Sequence, residues 1–246
     1  MKIDILTIFP EMFSALNASI LGRAQENNHI DINIHNIRDY SSSKHKNTDD
    51  YPFGGGAGML MTAQPIADAI EAVTPSPYAG KRIYLSPRGH MLTQQVVREL
   101  AKEDELLLLC GHYEGVDERV LDEYIDLEIS IGDYILTGGE LPAMVLVDAV
   151  SRMLDGVLGS AESALNESFS EDGLLEYPQY TRPRCFHGRE VPEVLLSGNH
   201  KDIEEWRRNQ AIKITLQRRP ELLEKANLTE NEQALIETII SGEGKS

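Results

Sequence analysis

The sequence predicts an α/β protein in which a mostly parallel sheet flanked by helices is followed by a small all-α segment. Three observations carry this. Over the first 160 of 246 residues, strand-like apolar runs alternate with helix-like ones, the order of a parallel sheet covered on both faces. Glycine-rich stretches follow three of the strand-like runs, where α/β sheets bind their ligands. Beyond a polar stretch at 160–171 the periodicity is helical only.

The elements follow in order. Residues 2–8 alternate apolar and polar side chains and read as a strand. Residues 11–25 read as a helix, 30–37 as a strand and 65–73 as a helix. The strand at 81–85 leads into Ser86, Pro87, Arg88 and Gly89, and a helix follows at 93–101. The strand at 105–110 leads into Gly111, His112, Tyr113, Glu114 and Gly115, with a helix at 116–122. The strand at 125–131 leads into the longest loop, which carries Gly132, Gly138, Gly139 and Pro142 before a helix at 143–154. Glycine in such loops lets backbone N–H and C=O groups approach a bound molecule with no side chain between. Three such loops in succession point to one composite pocket. The stretch 51–59 is the densest in glycine, but no Gly-Lys-Ser/Thr follows, so it is no phosphate loop. It reads as a surface loop, or as a wall against which a flat ring can lie. The polar stretch 160–171 reads as a flexible joiner, and helices follow at 201–216, 221–226 and 230–240, the last opened by Thr229 as N-cap. The expected division is 1–159, a linker at 160–175, and 176–246.

Composition narrows the function classes. No segment approaches the ~20 apolar residues of a membrane span, and the N-terminus lacks the pattern of a signal peptide. Cys110 and Cys185 are too few for a disulfide framework, and no Cys/His spacing reads as a metal site. The chain reads as cytoplasmic, with reduced thiols. A net charge of −17 argues by itself against a nucleic-acid partner. The charge is uneven, however: residues 1–160 hold 12 basic and 24 acidic side chains, whereas 182–219 hold nine basic and five acidic. A local basic stripe matters more than the total when a partner touches one face.

Taken together, residues 4–13, 54–61, 85–89, 111–115, 130–144, 156–159, 177–183 and 196–200 resemble the bacterial tRNA (guanine-N1)-methyltransferase family, a branch of the knotted SPOUT methyltransferases. The likeness covers nearly the whole chain, and the string 130–144 is its most specific part. The resemblance implies that the strand-exit loops form a deep trefoil knot gripping S-adenosylmethionine. The implied donor-binding residues are Tyr84, Leu85, Ser86, Pro87, Gly111, Tyr113, Glu114, Gly115, Ser130, Ile131, Gly132, Asp133, Tyr134, Ile135, Leu136, Gly138, Gly139 and Pro142. It also implies an obligate homodimer, assistance by magnesium with no identifiable ligands, and a tRNA target at the guanosine just 3′ of the anticodon, position 37. Contacts to the tRNA are expected from Gly55, Gly56, Arg182, His187, Arg207 and Arg208, with Trp206 available for stacking. Two positions depart from the family: Ala57 stands where proline is usual, and Glu167 where the catalytic aspartate precedes a Ser-Phe pair.

The chemistry sets the roles. N1 of guanine carries a proton and is a poor nucleophile until a general base removes it. Glu167 is the candidate base, with Asp172 as the fallback. Charge then spreads to O6, where a fixed cation helps; Arg152 matches the family's arginine. N1 lies on the Watson–Crick edge, so the base must be unpaired or flipped out. Glu114 is expected to hold either the donor's amino group or the target base. The competing readings are a SPOUT methyltransferase with another RNA target and an inactive SPOUT-fold RNA-binding factor.

Overall fold

A computed structural model describes residues 1–158, 167–170 and 173–243, and the chain divides into two compact units, Met1–Gly159 and Ser160–Ser246. Asp172, the fallback base, lies outside the described residues.

The first unit is built on a five-stranded sheet in the order β2-β1-β6-β5-β7, with β1 Lys2–Thr7, β2 Asp31–Asn36, β5 Lys81–Met91, β6 Glu105–Cys110 and β7 Leu127–Ser130. Every neighbouring pair in it is parallel. Alternate residues of each strand feed opposite cores. Ile3 and Ile5 of β1, Ile83 and Leu85 of β5, and Leu106, Leu108 and Cys110 of β6 pack with α1 (Ser19–Glu26), α3 (Gln94–Leu100) and α5 (Glu140–Ser151). Leu6, Tyr84, Leu107 and Leu109 face α2 (Ala63–Val73) and α4 (Glu118–Tyr124). Burial on both faces is why β6 is apolar almost without a break. A two-residue pair, β3 (Asp49–Asp50) with β4 (Leu60–Met61), closes the glycine-rich loop between them.

Asp4 is a charged residue buried in this core, 1% exposed. His35 Nε2 lies 2.9 Å from one oxygen and Lys2 Nζ 2.8 Å from the other. Burial alone pushes the Asp4 carboxyl up, but these two partners outweigh it and hold it below the ordinary aspartate value. A carboxyl depressed in the folded state contributes stability above its unfolded value and loses it as the pH falls through the folded one. Acidification below the usual aspartate range should therefore destabilise the first unit. Asp4→Asn should flatten that part of the stability–pH curve, as read by thermal unfolding at a series of pH values.

The structure corrects several boundaries. The helix expected at 11–25 is a 3₁₀ segment, Pro10–Asn17, and then α1, because Ala18 is extended and Ser19 adopts φ +55°. The stretch 86–89, read as a loop after a strand, lies within β5. Leu85 and His90 both pair with Ile129, so the intervening residues bulge out while pairing resumes beyond them. The helix expected at 143–154 is α5 and begins at Glu140, since Pro142 fits the first turn, where its missing N–H costs no bond.

In the second unit, α6 (His200–Arg218) is followed by a 3₁₀ segment, Pro220–Lys225, and α7 (Glu230–Glu243). Thr229 Oγ1 accepts from the Glu232 N–H at 3.4 Å while Glu232 accepts from the Thr229 N–H at 2.7 Å, a reciprocal cap on α7. The unit is not purely helical: β8 (Cys185–Phe186) and β9 (Arg189–Glu190) pair antiparallel around His187 and Gly188, both at positive φ. Part of the expected linker is packed rather than free. Leu174 is buried with Ala211 and Ile212 of α6, and the Leu175 N–H donates to Thr215 Oγ1 at 2.9 Å.

Candidate functional site

The carboxyl ends of β5, β6 and β7 surround a cavity of about 500 Å³ in the first unit, within the size range of small-molecule sites. Its walls come from the β5 bulge, from residues 111–116 after β6, and from residues 129–132 and 134–139 with Pro142 around the start of α5. The three stretches singled out in the sequence thus meet in one place.

Backbone hydrogen bonds lace these loops together. The Gly139 N–H donates to the Gly111 carbonyl at 2.8 Å, and His112 and Gly138 form an antiparallel bridge. The Glu114 N–H donates to Met59 O at 3.0 Å and the Met61 N–H to Gly115 O at 2.9 Å, which brings Leu60 into the wall. Glycine is required at the closest crossings. A β-carbon on Gly139 would stand 2.8 Å from Cys110 Cα and 3.0 Å from the Gly111 nitrogen, both backbone atoms that cannot step aside. One on Gly111 would lie 2.7 Å from the Tyr84 hydroxyl. Burial pushes the Tyr84 phenol up to about 12, so it remains a neutral hydroxyl beside the cavity.

The lining is a mixed surface. Leu85, Val116, Leu121, Ile129, Ile135 and Leu136 give it apolar area, while Glu114 and Glu118 are its carboxylates. Arg88 reaches Glu118 at 3.1 Å and Glu128 at 3.4 Å. The Ser130 hydroxyl donates to Gly132 O at 3.2 Å and accepts from the Gly132 N–H at 3.3 Å, fixing the turn out of β7.

Of the residues expected to hold the donor, all but Asp133 line this cavity. Leu60, Arg88, His112, Val116, Glu118, Leu121, Ile129 and Thr137 line it as well. His112 and Thr137 sit inside motifs already singled out and were within reach of the sequence. Leu60 arrives through pairing remote in the chain. Gly55 and Gly56, at φ +78° and +131°, have nothing within 4 Å of a built β-carbon, so their loop stands open. Gly58 in the same loop is crowded by the Glu114 side chain, its built β-carbon 2.5 Å from Cγ.

Other expected residues lie elsewhere. Arg152 is the C-cap of α5 and does not line the cavity. Glu167 belongs to the second unit, where it borders a cavity of about 280 Å³ with Tyr177, Glu204, Arg207 and Arg208. The Arg207 guanidinium lies 5.0 Å from the Tyr177 ring centre, and Arg208 pairs with Glu232 at 2.7 Å and donates to Asn227 O at 3.0 Å. Arg208 thus ties α6 to the capping turn of α7, which the sequence stripe did not disclose. Arg182, His187 and Arg189 are exposed around the β8–β9 turn. Among the described residues no helix is long and apolar enough to cross a membrane, and no group of three or more His, Cys, Asp or Glu side chains could hold a metal ion.

Residues 1–225 match the family described as tRNA (guanine-1)-methyltransferase TrmD. The chain is 55% identical over 248 residues to the tRNA (guanine-N(1)-)-methyltransferase of Moorella thermoacetica, covering 100% of this chain and 99% of that protein. It is 59% identical over 236 residues to the enzyme of the same name from Alkaliphilus metalliredigens, covering 94% and 95%, and 55% identical over 235 residues to that of Clostridium tetani, covering 96% and 97%. With a cavity of three interlaced strand-exit loops and a family match running from the first strand into the second unit, the chain belongs to the tRNA (guanine-1)-methyltransferase family.

Proposed function

We propose that the first-unit cavity takes S-adenosylmethionine and that the chain methylates N1 of the guanosine 3′ of the anticodon, position 37, in tRNA. The observation that carries this is the convergence of the three loops on one cavity within a chain of this family. The residues present fit the donor. Glycines at 111, 138 and 139 keep side chains off the wall so that a flat ring can lie close to backbone, apolar side chains suit its faces, and Glu114 and Glu118 suit a cationic ligand. When bound, the donor supplies an activated methyl group.

The chain's own residues do the rest. Gly111, Gly138 and Gly139 hold and orient, and alignment with the acceptor provides much of the rate. Glu167 accepts the proton from guanine N1, and Arg152 faces the charge that develops on O6. Glu114, pressed between the open glycine loop and the cavity, holds the donor's amino group or the target base. The trefoil knot implied by the family, a homodimer with sites built from both chains, assistance by magnesium and a cytoplasmic location are part of the same proposal.

The test is incubation of the purified protein with labelled donor and unmodified tRNA transcripts. Label should enter transcripts that carry the guanosine 3′ of the anticodon and not those that lack it. Equal labelling of both would overturn the assigned target, and no labelling of either would overturn the activity.

The basic stripe gives a second expectation. Arg182→Glu with Arg189→Glu should weaken tRNA binding by about 1 kcal/mol or more per lost charged contact, with donor affinity and thermal stability unchanged. Arg208→Glu should behave differently and lower the stability of the second unit, because it sets two carboxylates together at the α7 cap. Filter binding across a salt series, beside thermal unfolding, separates the two.

A further inference from the structure

Behind the cavity lies a buried acid to which the mechanism assigns nothing. Glu140, in the first turn of α5, is 1% exposed. One carboxylate oxygen accepts from the Thr7 hydroxyl at 2.8 Å, and Thr7, at the end of β1, is itself fully buried and accepts from the Phe9 N–H at 2.9 Å. The other oxygen, Oε2, is buried with no hydrogen-bond partner. Burying a carboxylate with so few partners is costly, although the N-terminus of a helix is the best place for it.

Its location supplies the reason. A β-carbon on Gly138 would run into Glu140 Oε2 and into the His112 ring, 2.6 Å from Cδ2 and 2.9 Å from Nε2. Phe9 packs on that ring, with centroids 4.8 Å apart. Gly138 and Gly139 are cavity wall. A wall of glycines has no side chains of its own to fix it, so beyond its backbone hydrogen bonds its position is set by the side chains packed against it. The Gly138 backbone is flanked by the Glu140 carboxylate, anchored through Thr7 to the sheet, and by the His112 ring, on which Phe9 packs.

We propose that Glu140 is a positioning residue of the donor cavity. Its carboxylate, held by Thr7, braces the Gly138 backbone against the His112 ring and so fixes the place of that stretch of wall beside the ligand. Glu140 itself does not line the cavity, so its effect on the donor passes through the glycines. This rests on the reading of that cavity as the S-adenosylmethionine site.

The test is calorimetry of S-adenosylmethionine with the full-length protein, with thermal midpoint and tRNA affinity measured alongside. Glu140→Ala should weaken donor binding at least tenfold and raise the donor KM in proportion, with the KM for tRNA within twofold of the parent. Thr7→Val, which keeps shape and removes both the bond to Glu140 and the acceptor of the Phe9 N–H, should act in the same direction, and the double variant should lose less than the product of the two single losses, because one contact is shared. Glu140→Gln keeps an acceptor oxygen for Thr7 and should recover most of the affinity. A purely structural role predicts otherwise: lower thermal midpoints with unchanged donor affinity in the folded protein, and that result overturns the proposal. If Glu140→Ala does not fold, Thr7→Val decides alone, and unchanged donor affinity there overturns it. Gly139→Val separates this from failure of the underlying reading. If Gly139→Val abolishes donor binding while Glu140→Ala and Thr7→Val leave it intact, the cavity stands and the brace falls. If none of the three affects donor binding, the cavity assignment itself is wrong.

Discussion

Glu167→Gln should leave both ligands bound while methyl transfer falls by ~10²–10⁴-fold, the range for loss of a positioned general base. The amide keeps the shape of the side chain and removes its ability to take the N1 proton, so the loss belongs in kcat rather than in either KM. Glu167→Asp, which restores the family's usual residue, should retain substantial activity. Asp172→Asn should have a mild effect. The measurement is single-turnover methylation with saturating donor and tRNA. An inert Asp172→Asn protein beside a near-normal Glu167→Gln protein would move the proton-accepting role to Asp172. If neither change matters, the base lies outside this segment. The described part of the segment is anchored in its own unit through Leu174 and Leu175 on α6, so a kinetic effect of Glu167→Gln need not bring a loss of stability.

Gly139→Val should abolish measurable donor binding, and Gly111→Val should weaken it severely. The added branched side chain at 139 meets Cys110 and Gly111 backbone, which can yield only by parting the two loops. Overpacking of this kind costs about 1–3 kcal/mol, which corresponds to roughly 5–150-fold in affinity, the upper end applying where the clash is with backbone. At 111 the obstacle is the Tyr84 hydroxyl, the tip of a ring packed in the core, which can give slightly. The ordering of the two effects is therefore part of the prediction. Calorimetry reads the affinity, and thermal unfolding shows whether the fold is intact. Unchanged affinity in both proteins would remove the cavity from the donor.

Much of this molecule was legible from local pattern. The strand at 105–110 matches β6 residue for residue, since a strand buried on both faces carries its apolar signal without interruption. The loops after β6 and β7 could be picked out because glycine is required where backbone meets backbone, and that requirement is written at single positions such as Gly111 and Gly139. Thr229 announced the α7 cap through its own side chain.

What the sequence could not show depends on which segments become neighbours. The stretch from Ser86 to Gly89 looks like a turn, and lies within β5 only because β7 is there to pair on either side of the bulge. Arg208 reads as one more charge in a basic stripe until Glu232 folds back against it. Thr7 and Glu140 lie 133 positions apart, and nothing local in either marks them as partners. Periodicity and glycine placement report the environment of one residue at a time. Contacts between remote residues are fixed by the order of strands in the sheet, so the identity of the cavity loops came from the sequence, while what braces them came from the fold.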